Sequence, residues 1–399
     1  MQIRLFDAVA IMSVATALAA CQGDLEPLRS SLQAGITPSG MLEGKIGTGA
    51  PQANPNPSSP TQPVAIAPPK ASAGVPAPAC PGSIVKQLID PTAQDVSPVK
   101  LTCSAQLPAN STVTRQIVFE GSAANGASLD CNGGRLKGTA VKGDKEAVVV
   151  RSKSNGSFYE RPEGIAVRNC KIAGSVRIYG MGRNGEADPV KRSSMSVNHT
   201  ADAQAAAPSN VIFDRVEIFG SGGVPFYVSP GVTNVTLTNS TIAGSSTSVV
   251  VYLDAESAGA KITNNIFRAR TKSREVIAID GSAYNTISGN RFDDAGNGGI
   301  FAYRNCGEGG TIRHQAPQFN KIENNTFSLG GSSDPAVWLN SRNGNRSYCF
   351  QDPEHPFGSS LTPMDMAQNN VVVGNRASGS RGEPFRNSDP SNTITGNSR

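Results

Sequence analysis

The sequence predicts an all-β chain wound as a single right-handed parallel β-helix of about nine to ten coils, with long loops along one face. Three observations predict it. First, short β-branched runs ending in Asn recur, as in Asn234-Val-Thr-Leu-Thr-Asn239, Lys261-Ile-Thr-Asn-Asn265-Ile-Phe267 and Asn285-Thr-Ile-Ser-Gly-Asn290-Arg-Phe292. Asn320 to Phe327, Asn370 to Asn375 and Asn392 to Asn397 continue the series, and Asn239, Asn265 and Asn290 are 26 and 25 residues apart. Second, 42 Gly and 27 Pro with only 17% charged residues describe a chain of many turns, neither a polytopic membrane protein nor wholly disordered. Third, seven Cys without any CxxC pair fit stacked coils in an oxidising compartment and no zinc ribbon or thioredoxin motif.

Residues 1–21 read as an export signal. Arg4 gives a minimal charged start and Val9 to Leu18 a short apolar stretch, too few residues for a permanent span. Leu18-Ala19-Ala20-Cys21 resembles a bacterial lipobox, which implies lipidation of Cys21, and Gln22 after it implies outer-membrane sorting. The membrane is then met only through the lipid, with the protein facing periplasm or cell surface. Residues 22–79 are rich in Pro, Ala and Ser with no apolar period, and read as a disordered tether. Residues 80–130 are expected to form an N-terminal cap and first coils, and 131–399 the β-helix, as a monomer.

A coil stacks about 4.8 Å above the last, so like side chains form ladders. An inward Asn ladder would satisfy backbone groups at a bend. Without Cys21 six Cys remain; stacking favours Cys131 with Cys170, Cys306 with Cys349 would tie two loops, and Cys80 with Cys103 would close the cap. Over roughly Cys131 to Asn397 the chain resembles periplasmic and secreted β-helix proteins that act on carbohydrates.

One strand per coil can be aligned by apolar alternation: Phe226 to Ser229, Val251 to Asp254, Ile277 to Asp280, Phe301 to Arg304 and Val337 to Asn340. The outward face then carries Tyr227, Tyr252, Ala278, Ala302 and Trp338, beside Ser229, Asp254, Asp280, Arg304 and Asn340, with Arg177 upstream. Aromatic platforms for sugar rings thus stand next to ionisable groups. The three longest insertions, at about 180–209, 305–319 and 341–368, all leave after this strand and hold all three His: His199, His314 and His355. Long loops along one side of a solenoid wall a cleft, and His supplies a base near neutral pH.

Glu275-Val-Ile-Ala-Ile-Asp280-Gly-Ser-Ala-Tyr-Asn285, Asn290-Arg-Phe292 and Arg304 resemble polysaccharide lyase family six, which includes chondroitinase B and several alginate lyases. The resemblance places Arg304 on the catalytic Arg and Glu275 on a calcium-ligand Glu, so calcium is the one cofactor implied. Asp280 stands where that family has its Lys base, and Ser273 where it has another calcium-binding Glu. Tyr348-Cys-Phe-Gln-Asp352-Pro-Glu-His355 resembles a segment of mannuronan C5-epimerases.

The reading that follows is an exported lyase cleaving a uronate-containing acidic polysaccharide by β-elimination. Arg304, with Arg342 or Arg177, would neutralise the uronate carboxylate; His355, His314, Tyr252 or Tyr348 would move protons. Tyr227 and Trp338 would stack sugars, while Asn340, Asp254 and Asp280 would hold hydroxyls or calcium. The alternatives that remain open are a glycoside hydrolase using Asp254 and Asp280, a C5-epimerase-like enzyme, and a non-catalytic lipoprotein binding or assembling exopolysaccharide. A net charge of +5 without a Lys/Arg block excludes a nucleic-acid arm.

Overall fold

The computed structural model describes residues 65–70, 74–90, 97–141, 144–156, 158–349 and 351–399. The expected export signal, Cys21 and residues 22–64 of the expected tether lie outside them. Three parallel sheets run the length of the body. A middle coil shows the unit. Val251–Leu253 lies in the first sheet, Lys261–Thr263 in the second and Ile266–Phe267 in the third, before Ile277–Asp280 returns to the first one rung on. Ten strands follow one another in the first sheet, from Val99–Lys100 to Phe385–Arg386. The fold is therefore a right-handed parallel β-helix of about ten coils.

Stacking places like residues in the core. Phe267, Phe292 and Phe327 form one column, with ring centroids 4.8 and 4.4 Å apart. At the turn after the second sheet, each Asn Oδ1 accepts the N–H of its predecessor one coil below: Asn290 from Asn265 at 2.9 Å, Asn325 from Asn290 at 3.0 Å, Asn375 from Asn325 at 3.0 Å. Asn285, Asn320, Asn370 and Asn392 form a second ladder in the turn before that sheet. Asn239 does not belong to the first. Thr238 is level with Thr263, so Asn239 pairs with Asn264 as a left-handed corner (φ 51° and 56°), and Ser240 takes the ladder place below Asn265.

The cap is a helix, Gly82–Ile89, which buries Leu88 against the first coils. Disulfides join Cys80 to Cys103, Cys131 to Cys170 and Cys306 to Cys349. Three of them suit an extracytoplasmic protein. The body takes up the chain before Cys80, unlike the expected tether. Ala65 donates its N–H to Gln318 at 3.0 Å and accepts from the Tyr284 hydroxyl at 2.9 Å, and Pro69 accepts from Asn234 at 2.7 Å. Extended Pro-rich backbone leaves its carbonyls free to accept such bonds. Among the described residues no helix is long and apolar enough to cross a membrane.

Candidate functional site

The three insertions leave the first sheet after Tyr179, Tyr303 and Leu339, on one side of the body. The first folds into two helices, Asp188–Ser193 and His199–Ala206, the former started by Pro189. Each insertion is tied to the next. His314 Nε2 meets the Ser194 carbonyl at 2.8 Å and Ile312 donates to Ser194 Oγ at 3.1 Å. Arg313 and Ser359 exchange bonds of 2.9 and 2.8 Å, and Cys306–Cys349 links the second loop to the third. Beneath them the buried Glu256 carboxylate accepts from the His314 and Gln315 N–H groups and from the Thr200 hydroxyl.

A cavity of about 440 Å³ opens between these loops and the first sheet. Its floor repeats one arrangement on two rungs. Tyr227 donates its hydroxyl to Asp254 on the next coil, and Tyr252 donates to Asp280 on the coil after at 2.6 Å. The two rings lie 5.4 Å apart. Burial pushes the Asp254 carboxyl up to about 6, against the pull of Arg313. Burial also drives both phenols well above their ordinary value, so they stay protonated donors.

Arginines make the walls. Arg313, 3% exposed, brings Nη1 to 3.7 Å from Asp254 Oδ1, and among the described residues neither its Nη1 nor its Nε has a hydrogen-bond acceptor. Gly185 lies on this guanidinium, where a Cβ would sit 2.2 Å from Nη1. Arg342 stacks 3.6 Å over the Tyr303 ring and donates to Asn305 and, at 2.9 Å, to the Tyr348 hydroxyl. Arg274 donates to the Tyr303 hydroxyl at 2.7 Å and is paired twice with Glu275, at 2.8 and 2.9 Å. Glu186, Glu308 and Arg346 complete the rim. Burial, helped by Glu186 and Asp280, raises the Glu308 carboxyl.

Of the residues singled out from sequence, Tyr227, Tyr252, Asp254, Arg342 and Tyr348 line this cavity. Asp280 sits directly behind it, holding the Asn305 N–H at 2.8 Å, Asn305 Nδ2 at 2.5 Å and Tyr252. Arg304 does not reach it, because the register differs by one residue from the expected alignment. Phe301, not Ala302, is level with Ala278 and Trp338, and Tyr303 is level with Asp280. Arg304 therefore turns into the third loop. It is 1% exposed and donates to the Thr362 and Met364 carbonyls at 2.9 and 2.8 Å, and burial lowers it to about 10.

The histidines pack instead of lining the cavity. His199 and His314 are buried edge to face at 5.1 Å, and burial lowers His199 to about 4, so its ring is uncharged near neutral pH. His355 pairs with Asp352 at 2.8 Å away from the cavity. Asn340 is buried and closes the third loop on Ala367 through bonds of 3.1 and 2.8 Å. Trp338 is not part of the cavity lining and lies beneath Arg386, and Arg177 covers the Tyr227 ring at 4.8 Å. Glu275, the residue expected to bind calcium, is taken by Arg274. Among the described residues no group of three or more His, Cys, Asp or Glu can hold a metal ion.

Sequence reasoning missed Arg313, Arg274, Asn305 and Glu308. Length marks the second loop in the sequence, but nothing in the sequence separates Arg313 from its neighbour His314.

Residues 189–342 match the family model for the right-handed beta helix region. No curated protein matches the sequence. Among solved structures, the A-module of an Azotobacter vinelandii mannuronan C-5 epimerase is similar at 12% identity, over 74% of this chain and 81% of that one, with a TM-score of 0.43. An alginate lyase from Paenibacillus sp. is similar at 10% identity, over 76% and 100%, with a TM-score of 0.32. A mannuronic acid specific family 6 polysaccharide lyase from human gut microbiota is similar at 13% identity, over 79% and 80%, with a TM-score of 0.29. At these identities the likeness is one of fold, and fold alone does not imply an activity.

Proposed function

We propose that the chain is an exported polysaccharide lyase, anchored through Cys21, that cleaves a uronate-containing polymer by β-elimination in this cavity. The observation that carries the reading is Arg313, a buried guanidinium at the cavity with two N–H donors lacking acceptors, beside a carboxyl of raised pKa. Unmatched buried donors are costly and mark a place for an anionic group. In the reaction Arg313 and Arg342 take the uronate carboxylate, which makes the neighbouring C5 proton acidic. Asp254, ionised above about 6, removes that proton. The electron pair left on C5 forms the C4–C5 double bond as the glycosidic oxygen leaves C4. The Tyr348 hydroxyl, held beside Arg342, protonates the leaving oxygen. Glu275 is engaged by Arg274, so no step is routed through calcium.

One observation favours hydrolysis as a second reading: Glu308 and Asp254 line the same cavity, and glycoside hydrolysis uses two carboxyls, one of them a general acid of raised pKa. Asp280, the expected partner of Asp254, lies behind the cavity and is not part of its lining.

The test is product analysis after incubation with a panel of uronate polymers, with and without calcium. An unsaturated uronate, seen by its ultraviolet absorbance, supports elimination. New reducing ends without that absorbance move the assignment to hydrolysis. Inverted C5 centres without chain cleavage would mean an epimerase, and binding without any product the non-catalytic reading.

A further inference from the structure

The third sheet carries a feature of its own, away from the cleft. Its outward residues in the early coils stack as Arg135, Lys171 and Glu217, with Lys137, Ala173, Phe219 and Ala243 two positions on. Phe219 is 56% exposed on a regular strand, and its rung neighbours are the small Ala173 and Ala243, so the ring stands clear of the surface. A hollow of about 390 Å³ lies between this ring and the cations Arg135, Lys137 and Lys171. It runs into a second hollow of about 660 Å³ through the shared residues Lys171 and Glu217. That one is bordered by a row of left-handed corners, Asn132, Asn169, Arg215 and Asn239.

The charges here are arranged differently from those farther along the same sheet. There Arg268, Arg270 and Arg291 are each paired with Asp293 or Asp294 at 2.8–3.2 Å. Around Phe219, among the described residues, no carboxylate lies within ion-pair distance of Arg135, Lys137 or Lys171, although Glu217 stands in the same groove. An exposed ring costs solvation and unpaired cations repel one another. Together they suit a ligand with an apolar face and regularly spaced negative charges. A uronate chain has both: its pyranose C–H face stacks on the ring and its carboxylates meet the cations.

We propose that this groove is a second, non-catalytic binding site for an acidic polysaccharide, which holds the polymer on the body while the cleft works on it. The choice of ligand class rests on the reading of the cleft; the site itself does not, since it lies on a different sheet.

Affinity electrophoresis of the full chain through gels containing alginate, polygalacturonate or hyaluronate tests this, with dextran as the neutral control. It is run in the Arg313→Ala background, so that the cleft contributes little. Retardation by at least one anionic polymer and not by dextran is expected, weakened about tenfold by Phe219→Ala and also by Lys137→Ala with Lys171→Ala. Melting curves of the surface variants should match the parent. Equal retardation of parent and Phe219→Ala would overturn the proposal, as would no retardation by any anionic polymer. If no polymer is turned over by the unmodified cleft while retardation still depends on Phe219, the groove stands and the cleft reading falls.

Discussion

Asp254 shows how the cavity sets chemistry against stability. Its carboxyl is fully buried, accepts from Tyr227 and the Ala255 N–H, and is raised from an ordinary 3.8 to about 6, first by burial. The folded state therefore holds a proton that the unfolded chain has already lost between these two values. Stability falls as pH rises through that window, and the ionised group costs on the order of 3 kcal/mol above it. Asp254→Asn should flatten this part of the melting temperature–pH curve and raise the midpoint near pH 7, while abolishing turnover. An unchanged slope would remove Asp254 as its source. Arg304 behaves in the opposite way: its guanidinium ties down the third loop, so Arg304→Ala should cost about 2–4 kcal/mol in denaturant unfolding. The sequence singled out this Arg because Ile300-Phe-Ala-Tyr303 alternates acceptably in two registers, and a slip of one residue exchanges the faces.

At the scale of the loops, length and position were legible in the sequence and direction was not. That three insertions share one side follows from the strand they leave. Which side chains enter the cavity depends on hydrogen bonds between loops, such as Arg313 with Ser359, and these have no period to read. The same holds for the His residues, since a place in a long loop says nothing about where a ring points. The disulfide Cys306–Cys349 lies next to Asn305 and Tyr348, both lining the cavity. Replacing this pair by Ser should reduce turnover more than stability. Replacing Cys131 and Cys170, which bridge two stacked coils far from the cavity, should cost about 2–5 kcal/mol and spare turnover of the protein that remains folded. Paired activity assays and urea titrations check this, and the reverse ranking would contradict it.

For the whole molecule, the repeat carried nearly all of the fold, because each coil must lay its Asn and Phe on the same residues of the next. Asn290 serves three neighbours, accepting from Asn265 and donating to Ile262 and Asn325. Asn290→Ala should therefore cost about 1–3 kcal/mol, read from the urea midpoint. The Pro-rich segment that crosses the coils between Ala65 and Pro69 was invisible for the opposite reason: it has no repeat and docks by its backbone. The cleft lies outside the repeat as well, in side chains that the coils only carry.

If Arg313 neutralises a uronate carboxylate, methyl esterification of the polymer performs the same neutralisation chemically. The most direct measurement is thus the initial rate of ultraviolet absorbance for the unmodified chain and for Arg313→Ala, on a uronate polymer and on its methyl ester. On the acid polymer Arg313→Ala should lose roughly 10²–10³-fold, the scale of removing one charge-stabilising group, and on the ester far less. An equal loss on both polymers, or no absorbance from the unmodified chain on either, would contradict it.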